Sequence, residues 1–212
     1  MYKTCSLLGD SITTFEGYIP ADNRVYYPHG NSDVSVVEDT WWKIFLRKSK
    51  LKLIANESYS GAKILEDGST FPISSGFLSD TRLDLLSGDC ILIFGGTNDY
   101  GNEPVTQLGD VVEAYATLLE KIHLKNPHTA IFCLTPLFRL DKSGPNSAGW
   151  DLSQFVEAIT EKIVQHDNCF LIDLFAMPYD FTCTQDGLHP NKKGMRLIAE
   201  YVYDHYANIV GL

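Results

Sequence analysis

The chain has 212 residues, 44% of them hydrophobic, and one domain over residues 1–212 is the default expectation for that length. Its 27 acidic and 17 basic residues give a net charge of −10, which disfavours nucleic acid and anionic membranes as partners. No apolar run is long enough to cross a bilayer, and the first polar motif comes too early for a cleavable signal before it, so we expect a cytoplasmic protein without integral membrane association.

Five short, almost continuously apolar runs predict buried β-strands at residues 4–8, 51–55, 90–94, 129–134 and 169–174. Apolar residues at helical spacing predict helices at residues 40–49, 105–124, 152–166 and about 190–209. This alternation predicts an α/β fold with a five-stranded parallel sheet in three α/β/α layers. Two long connections, at residues 15–39 and 137–149, leave carboxyl ends of strands and are placed to wall a ligand crevice.

Polar residues and glycines follow four of the predicted strands. Ser11 follows the first strand, and Gly61 lies a few residues beyond the second. Asn98 follows the third strand, whereas Asp186 and His189 come after the fifth. Ligands of open parallel sheets bind beyond the carboxyl ends of the strands. We therefore expect these five residues to meet at one edge of the sheet.

Ser11, His189 and Asp186 have the side chains of a nucleophile, a base and an orienting acid. A serine hydroxyl is a poor nucleophile until a base takes its proton, and a histidine base needs a third group to fix its tautomer and stabilise its cation. The Asp186-x-x-His189 spacing lets the carboxylate reach the imidazole nitrogen that faces away from Ser11. Structural roles stay open: a helix N-cap for Ser11, a capping or core position for His189, and a turn for Asp186.

Gly61 and Asn98 are candidate donors to an oxyanion. A glycine lets the backbone approach a substrate oxygen closely, and an asparagine amide is a neutral donor that does not bind an anion permanently. Both residue types are also common in ordinary loops and turns. Asp10 and Asp99 are expected to make structural hydrogen bonds rather than to transfer protons.

Four sequence blocks together resemble the SGNH hydrolases, the family of GDSL-type esterases and lipases. The blocks are Gly9-Asp10-Ser11, Asn56…Ser60-Gly61, Gly96-Thr97-Asn98-Asp99 and Asp186-Gly187-Leu188-His189-Pro190. The resemblance implies a flavodoxin-like fold with strand order 2-1-3-4-5 and hydrolysis of acyl esters without a cofactor. It also implies a catalytic triad of Ser11, Asp186 and His189. The implied oxyanion hole consists of the Ser11 and Gly61 backbone amides and the Asn98 side chain.

The sequence thus predicts a serine esterase that acts on a small-molecule ester through an acyl-enzyme, and no metal- or nucleotide-binding motif occurs. We favour short acyl groups, such as acetyl on a sugar hydroxyl, because the chain is acidic and has no obvious apolar lid. Six aromatic residues either wall the substrate or pack the long loop, with at least one of the two tryptophans expected in the core: Phe15, Tyr18, Tyr26, Tyr27, Trp41 and Trp42. The alternatives are a lysophospholipase or thioesterase with a longer acyl pocket, an acyltransferase, and a non-catalytic carbohydrate-binding protein.

Overall fold

A computed structural model describes residues 2–212. Over these residues the chain forms a five-stranded sheet in the spatial order 2-1-3-4-5, and all four neighbouring pairs run parallel. The strands are β1 (Thr4–Gly9), β2 (Lys52–Asn56), β3 (Cys90–Phe94), β4 (Ala130–Leu134) and β5 (Cys169–Ile172). The predicted parallel sheet, and the strand order implied by the SGNH resemblance, are both confirmed.

Helices cover both faces of this sheet. They are α1 (Trp41–Ser49), α2 (Asp80–Leu83), α3 (Thr97–Gly101), α4 (Leu108–Lys125), α5 (Leu152–Ile163) and α6 (Lys192–Val210). Helix α1 packs against α6 on one face, and α4 packs against α5 on the other, which gives the three predicted layers. The sequence did not predict α2 and α3, because helices of one turn are too short to show an apolar repeat.

The central strands divide the core in two by the alternation of their side chains. On β3, Leu92 and Phe94 join the cluster beneath α1 and α6, whereas Ile91 and Ile93 join the cluster beneath α4 and α5. Every residue of β3 and β4 is buried. Burying one such side chain contributes roughly 1.5–3 kcal/mol. The centre of the sheet therefore holds the carboxyl ends of its strands in fixed positions.

The two edge strands differ from the predicted continuous burial. Ile54 of β2 is 47% exposed, and Lys52 on the same strand is also exposed. Most of β5 is only half-buried. Each edge strand has a neighbour on one side only, so its side chains lie at the rim of the helix layers and remain partly in water.

Some predicted boundaries shift by a few residues. Strand β1 continues to Gly9, whereas β5 ends at Ile172 and not at residue 174. The Asp173 side chain accepts a hydrogen bond from the Phe175 N–H at 3.1 Å and so starts a 3₁₀ helix, Leu174–Ala176. The aspartate therefore competes with the strand for this backbone.

Helix α6 begins directly after the fourth sequence block. The Asn191 side chain accepts a hydrogen bond from the Gly194 N–H at 3.0 Å, which caps the first turn. The helix buries Met195, Ile198 and Val202 against the sheet, so the block before it is held in place. Neither α6 nor any other helix within residues 2–212 is both long and apolar enough to cross a membrane.

Candidate active site

Ser11 lies immediately beyond the carboxyl end of β1. The Asp10 side chain accepts a hydrogen bond from the Ile12 N–H at 3.0 Å, which caps the 3₁₀ helix Ser11–Thr13. Asp10, and not Ser11, is therefore the N-cap residue of this helix. The Ser11 side chain borders a cavity instead. Its burial is nearly complete, so only a ligand or a few water molecules can reach the hydroxyl.

His189 connects Ser11 to Asp186. The Ser11 Oγ lies 3.1 Å from His189 Nε2, although the two residues are 178 positions apart. His189 Nδ1 lies 2.7 Å from an Asp186 carboxylate oxygen. With the proton on Nδ1, the imidazole donates to Asp186 and accepts from Ser11. This order of contacts is the one that proton transfer from a serine hydroxyl requires.

Asp186 also shapes the turn that carries His189. Its second carboxylate oxygen accepts hydrogen bonds from the backbone N–H groups of Leu188 at 2.9 Å and His189 at 2.7 Å. Gly187 between them has a φ of +87°, in the left-handed region that favours glycine. Asp186 therefore does both things that the sequence suggested, because it forms the turn and also contacts the imidazole.

The connection at residues 137–149 supports this turn from outside the cavity. The Leu140 N–H donates a hydrogen bond to the Gly187 carbonyl at 2.9 Å. A β-carbon on Gly187 would stand 2.7 Å from the Asp141 backbone nitrogen, so the two segments are in close contact. We expected this connection to wall the crevice. That expectation was wrong, because none of its residues lines the cavity and it packs behind the turn instead.

Gly61 and Asn98 border the same cavity as Ser11. Neither the Ser11 N–H nor the Gly61 N–H donates a hydrogen bond to any of residues 2–212. The Asn98 Nδ2 donates to the Ala62 carbonyl at 2.9 Å, and its Oδ1 accepts from Asn102 at 2.9 Å. These contacts fix the amide plane and leave one Asn98 N–H for a ligand. Three donors without a protein partner therefore belong to residues that line the same cavity.

The cavity at this edge of the sheet has a volume of about 240 Å³. It is lined by Ser11, Arg24, Tyr26, Ser60, Gly61, Phe71, Asn98, Asn102, Leu188 and His189. The structure thus brings the predicted residues together, with Asp186 behind His189. Larger surface hollows, such as one of about 460 Å³ beside α4, contain none of the predicted residues, so chemistry rather than size identifies the site.

The sequence did not single out three residues that line this cavity, Arg24, Phe71 and Asn102. Phe71 lies directly against Gly61, since a β-carbon on Gly61 would stand 2.6 Å from Phe71 Cζ. The Arg24 guanidinium carbon lies 5.3 Å from the centre of the Phe71 ring. Phe71 occupies an irregular stretch without a repeat. The only signal for Arg24 was its place in the connection at residues 15–39.

The aromatic residues considered for a substrate wall mostly pack elsewhere. Among the six, only Tyr26 lines the cavity. Tyr18 is exposed but lies against Trp42, with ring centroids 6.0 Å apart. The core contains Phe15, Tyr27, Trp41 and Trp42. The packing interpretation was therefore right for these four residues, whereas Tyr18 lies exposed against the core and Tyr26 lines the cavity.

Burial and hydrogen bonding set the charges of the His189–Asp186 pair. Burial lowers the pKa of His189 below its usual value, although the Asp186 carboxylate acts in the opposite direction. Burial acts to raise the pKa of Asp186, but hydrogen bonds from His189 and Leu188 outweigh it and hold that pKa below its usual value. At neutral pH the imidazole is therefore uncharged and the carboxylate ionised, as a base and its orienting acid must be.

Two further carboxyl groups lie close by. Burial raises the pKa of Asp10 to about 7 and the pKa of Asp99 to about 6. Asp99 accepts hydrogen bonds from the N–H groups of Ile64 at 2.9 Å and Leu65 at 3.2 Å, so it holds the segment after Gly61. Both aspartates make structural hydrogen bonds, as expected. Within residues 2–212, no three His, Cys, Asp or Glu side chains converge so that they could hold a metal ion.

The sequence model of the family described as GDSL-like lipase/acylhydrolase matches residues 3–206. No curated protein matches the chain significantly in sequence. A protein from Bacteroides ovatus described as a GDSL-like lipase is 29% identical, with a TM-score of 0.70, and the match covers 97% of this chain and 99% of that one. A protein from Bacteroides uniformis with the same description is 26% identical, with a TM-score of 0.70 and coverage of 99% and 97%.

A more distant structure also has this fold. It is a family two carbohydrate esterase from Clostridium thermocellum, solved in complex with cellohexaose. It is 16% identical, with a TM-score of 0.70, and the match covers 99% of this chain and 65% of that one. At this identity the likeness concerns the fold alone.

Proposed function

We propose that this chain, which belongs to the GDSL-like lipase/acylhydrolase family and is therefore a hydrolase of ester bonds, uses Ser11, His189 and Asp186 as a catalytic triad. One observation carries the proposal: unbroken contacts run from Ser11 Oγ to His189 Nε2 at 3.1 Å and from His189 Nδ1 to Asp186 at 2.7 Å. A serine held in this way loses its proton to the imidazole as it attacks a carbonyl carbon.

The reaction has two halves. In the first, His189 Nε2 takes the Ser11 proton while Oγ bonds to the ester carbonyl carbon. The imidazolium then protonates the leaving oxygen, the bond to the alcohol breaks, and an acyl-enzyme remains. In the second half, His189 takes a proton from water as the water oxygen bonds to the acyl carbon. The bond between that carbon and Ser11 Oγ then breaks, the imidazolium returns the proton to Oγ, and the carboxylic acid leaves. Asp186 stays ionised and stabilises the imidazolium in both halves.

We further propose that the oxyanion of each tetrahedral intermediate binds to the Ser11 and Gly61 N–H groups and to the Asn98 side chain. The two backbone donors have no partner within residues 2–212, and Asn98 is held by Ala62 and Asn102, which supports this role. Such donors are already oriented before charge develops, and loss of one typically lowers turnover roughly 10²–10³-fold.

The size of the cavity favours a short acyl group. Ligand pockets for drug-sized molecules have volumes of roughly 300–1,000 Å³, whereas this cavity has about 240 Å³. Phe71 stands against Gly61 and limits the space beside the proposed oxyanion donor. An acetyl group is therefore the acyl group that we propose, and a lysophospholipase or thioesterase with a longer acyl pocket is the alternative.

The polar lining of the cavity favours a carbohydrate as the alcohol. The Arg24 guanidinium is exposed, forms no ion pair with any of residues 2–212, and offers several N–H donors to hydroxyl groups. The Asn102 amide and the Ser60 hydroxyl add further polar groups. The carbohydrate esterase from Clostridium thermocellum agrees with this proposal in fold only, so the cavity lining is its main support.

The first experiment measures release of nitrophenol from p-nitrophenyl acetate, butyrate and octanoate by the wild type, Ser11→Ala and Ser35→Ala. Ser35 is an exposed serine in the first long connection and serves as the matched control. We expect acetate to react fastest, Ser11→Ala to be inactive and Ser35→Ala to match the wild type. Equal activity of Ser11→Ala and the wild type would remove Ser11 from the mechanism, and a preference for octanoate would favour the long-chain alternative.

A second experiment tests the acyl-enzyme and the alcohol. Rapid quenching with p-nitrophenyl acetate, followed by mass spectrometry, should find one added acetyl group on the peptide that contains Ser11. Acetylated methyl glycosides and acetylated aliphatic alcohols, compared at equal concentration, test the carbohydrate proposal. Faster cleavage of the aliphatic esters would contradict it. Transfer of the acetyl group to an added alcohol in preference to water would indicate an acyltransferase.

A further inference from the structure

Tyr26 contacts two members of the proposed triad directly and is connected to the third through Thr14. Its ring lies nearly parallel over the His189 imidazole, with centroids 3.7 Å apart and an angle of 12° between the planes. Its hydroxyl lies 3.5 Å from Asp186 Oδ2. Its N–H donates to Thr14 Oγ1 at 2.9 Å, and the Thr14 hydroxyl in turn donates to the Ser11 carbonyl at 2.9 Å. One residue is thus connected to the nucleophile, the base and the acid.

Neighbouring contacts fix the segment that carries Tyr26. The hydroxyl of the buried Tyr27 donates to the Pro190 carbonyl at 2.8 Å, and the Tyr27 carbonyl accepts from the Glu16 N–H at 2.8 Å. His29 also lies nearly parallel to the Tyr26 ring, with centroids 5.3 Å apart. The position of the ring therefore does not depend on its contact with the imidazole alone.

We propose that Tyr26 is a positioning residue for His189; this inference rests on the proposed triad. A parallel ring in contact with the imidazole restricts its rotation, so that Nε2 stays directed at Ser11 and Nδ1 at Asp186. The face of an aromatic ring carries partial negative charge and attracts a cation. Tyr26 therefore stabilises the imidazolium that forms during proton transfer more than the neutral imidazole that precedes it, which lowers the barrier.

Other charged groups also act on His189. The Asp186 and Asp141 carboxylates favour its charged form, whereas burial and the Arg139 guanidinium disfavour it. All three charged groups remain in place when Tyr26 is substituted. The Tyr26 hydroxyl has a pKa of about 12, because burial and the nearby carboxylate raise it, so it stays neutral while His189 titrates. A change in the titration of His189 between Tyr26 variants therefore reports on the ring.

The experiment compares Tyr26→Leu, which removes the aromatic face, with Tyr26→Phe, which keeps it and removes the hydroxyl. Tyr18→Leu alters an exposed tyrosine of the same connection that does not line the cavity. For each variant we would measure kcat and KM for p-nitrophenyl acetate, the pH profile of kcat/KM, and the NMR titration of His189. Loss of one signal in His189→Gln assigns the resonance among the six histidines.

We expect Tyr26→Leu to lower kcat about tenfold with KM almost unchanged, and to lower the pKa of His189 by about half a unit or more. Tyr26→Phe should keep the wild-type kcat and the wild-type pKa of His189, and so should Tyr18→Leu. Thermal unfolding checks that each variant is folded, and Tyr26→Met is a second non-aromatic variant if Tyr26→Leu does not fold.

Three outcomes would overturn the inference. The first is a wild-type kcat and an unchanged His189 titration in Tyr26→Leu. The second is equal impairment of Tyr26→Phe and Tyr26→Leu, which would assign the effect to the hydroxyl. The third is a change in KM alone, which would make Tyr26 only a wall for the substrate. The NMR titration needs no turnover, so it decides on the inference even if the Ser11→Ala experiment contradicts the proposed esterase.

Discussion

Phe71 stands so close to Gly61 that a β-carbon on Gly61 would lie 2.6 Å from Phe71 Cζ. Gly61 also has a φ of +89°, a conformation that residues with a side chain rarely adopt. Glycine is therefore required at this position by the neighbouring ring and by the backbone. The same ring limits the cavity beside the proposed oxyanion donor, so one contact bears on both catalysis and substrate size.

We expect Gly61→Ala to lower kcat for p-nitrophenyl acetate roughly 10²–10³-fold, because relief of the crowding moves the backbone N–H away from the oxyanion. The left-handed backbone should also lower the free energy of unfolding by roughly 1–2 kcal/mol. Steady-state kinetics and urea unfolding measure the two effects separately.

Gly109→Ala is the matched control, because a β-carbon at Gly109 in α4 meets no heavy atom within 4 Å. It should keep full activity. The double variant Gly61→Ala/Phe71→Ala removes the crowding but not the left-handed backbone. Its activity is compared with that of Phe71→Ala, because loss of the ring also enlarges the cavity. Full activity of the single variant Gly61→Ala would contradict this prediction.

The pH dependence follows from the lowered pKa of His189. His189 must be uncharged to accept the Ser11 proton, so kcat/KM should rise with pH as the imidazole loses its proton. Because burial lowers this pKa, we expect the midpoint of the rise below about 6.5, the ordinary value for histidine. A profile of kcat/KM from acid to neutral pH measures it. A flat profile, or a midpoint above the ordinary value, would contradict His189 as a buried base.

Much of the candidate site was predictable because parallel strands place their carboxyl ends at one edge. Ser11, Asn98 and His189 each follow a strand that the apolar pattern located, so their convergence needed only the topology. The Asp186-x-x-His189 spacing is local, and a short turn determines its geometry. These residues were therefore recognisable from a sequence pattern combined with required chemical partners.

Tyr26 and Phe71 could not be predicted in the same way. Both lie in irregular connections, where no repeat indicates which side chain faces the cavity. Tyr26 and Tyr27 are adjacent and chemically alike, yet one lines the cavity and the other is buried in the core. Contacts that are distant in sequence decide between them, such as the hydrogen bond from Tyr27 to Pro190.

Asp186→Asn should impair catalysis less than His189→Ala. The Asp186 side chain is 46% exposed, so water can replace part of its contact with the imidazole. The asparagine oxygen can still accept the N–H groups that shape the turn, but a neutral amide does not stabilise the imidazolium. With the oxygen in that position, the asparagine Nδ2 faces His189 Nδ1 and favours the tautomer whose Nε2 cannot accept the Ser11 proton, so we expect kcat to fall on the order of 10⁴-fold. Loss of the carboxylate also removes a group that raises the pKa of His189, so the rise of kcat/KM with pH should move to lower pH.

The same kinetic assay checks both parts of this prediction. Equal loss in Asp186→Asn and His189→Ala would show that the carboxylate is as important as the base itself. A rise of kcat/KM that moves to higher pH in Asp186→Asn would contradict the pairing of Asp186 with His189.

Arg82 joins the segments that carry the first two sequence blocks. Its Nη2 donates to the Gly9 carbonyl at 2.9 Å and its Nε donates to the Glu57 carbonyl at 2.9 Å, while Nη1 donates to the Ser75 carbonyl. The side chain is buried, and burial lowers the pKa of Arg82 to about 10. Because buried carbonyl groups without partners are costly, one guanidinium stabilises three separate segments of the chain at once.

Arg82→Met should lower the free energy of unfolding by roughly 2–6 kcal/mol, at about 1–3 kcal/mol for each buried carbonyl left without a donor. These are the carbonyls of Glu57 and Ser75, because the Gly9 carbonyl still accepts from the Tyr59 N–H at 3.0 Å. For a chain of this size each 1 kcal/mol lowers Tm by roughly 2–4 °C. Arg47→Met, at an exposed arginine in the last turn of α1, is the control and should leave Tm almost unchanged. Differential scanning calorimetry compares the two variants. If both lose the same small amount of stability, Arg82 is not what holds the Gly9 and Glu57 segments together. The backbone hydrogen bonds between these segments, from the Glu57 N–H to the Leu7 carbonyl at 2.8 Å and from the Tyr59 N–H to the Gly9 carbonyl at 3.0 Å, would then be sufficient.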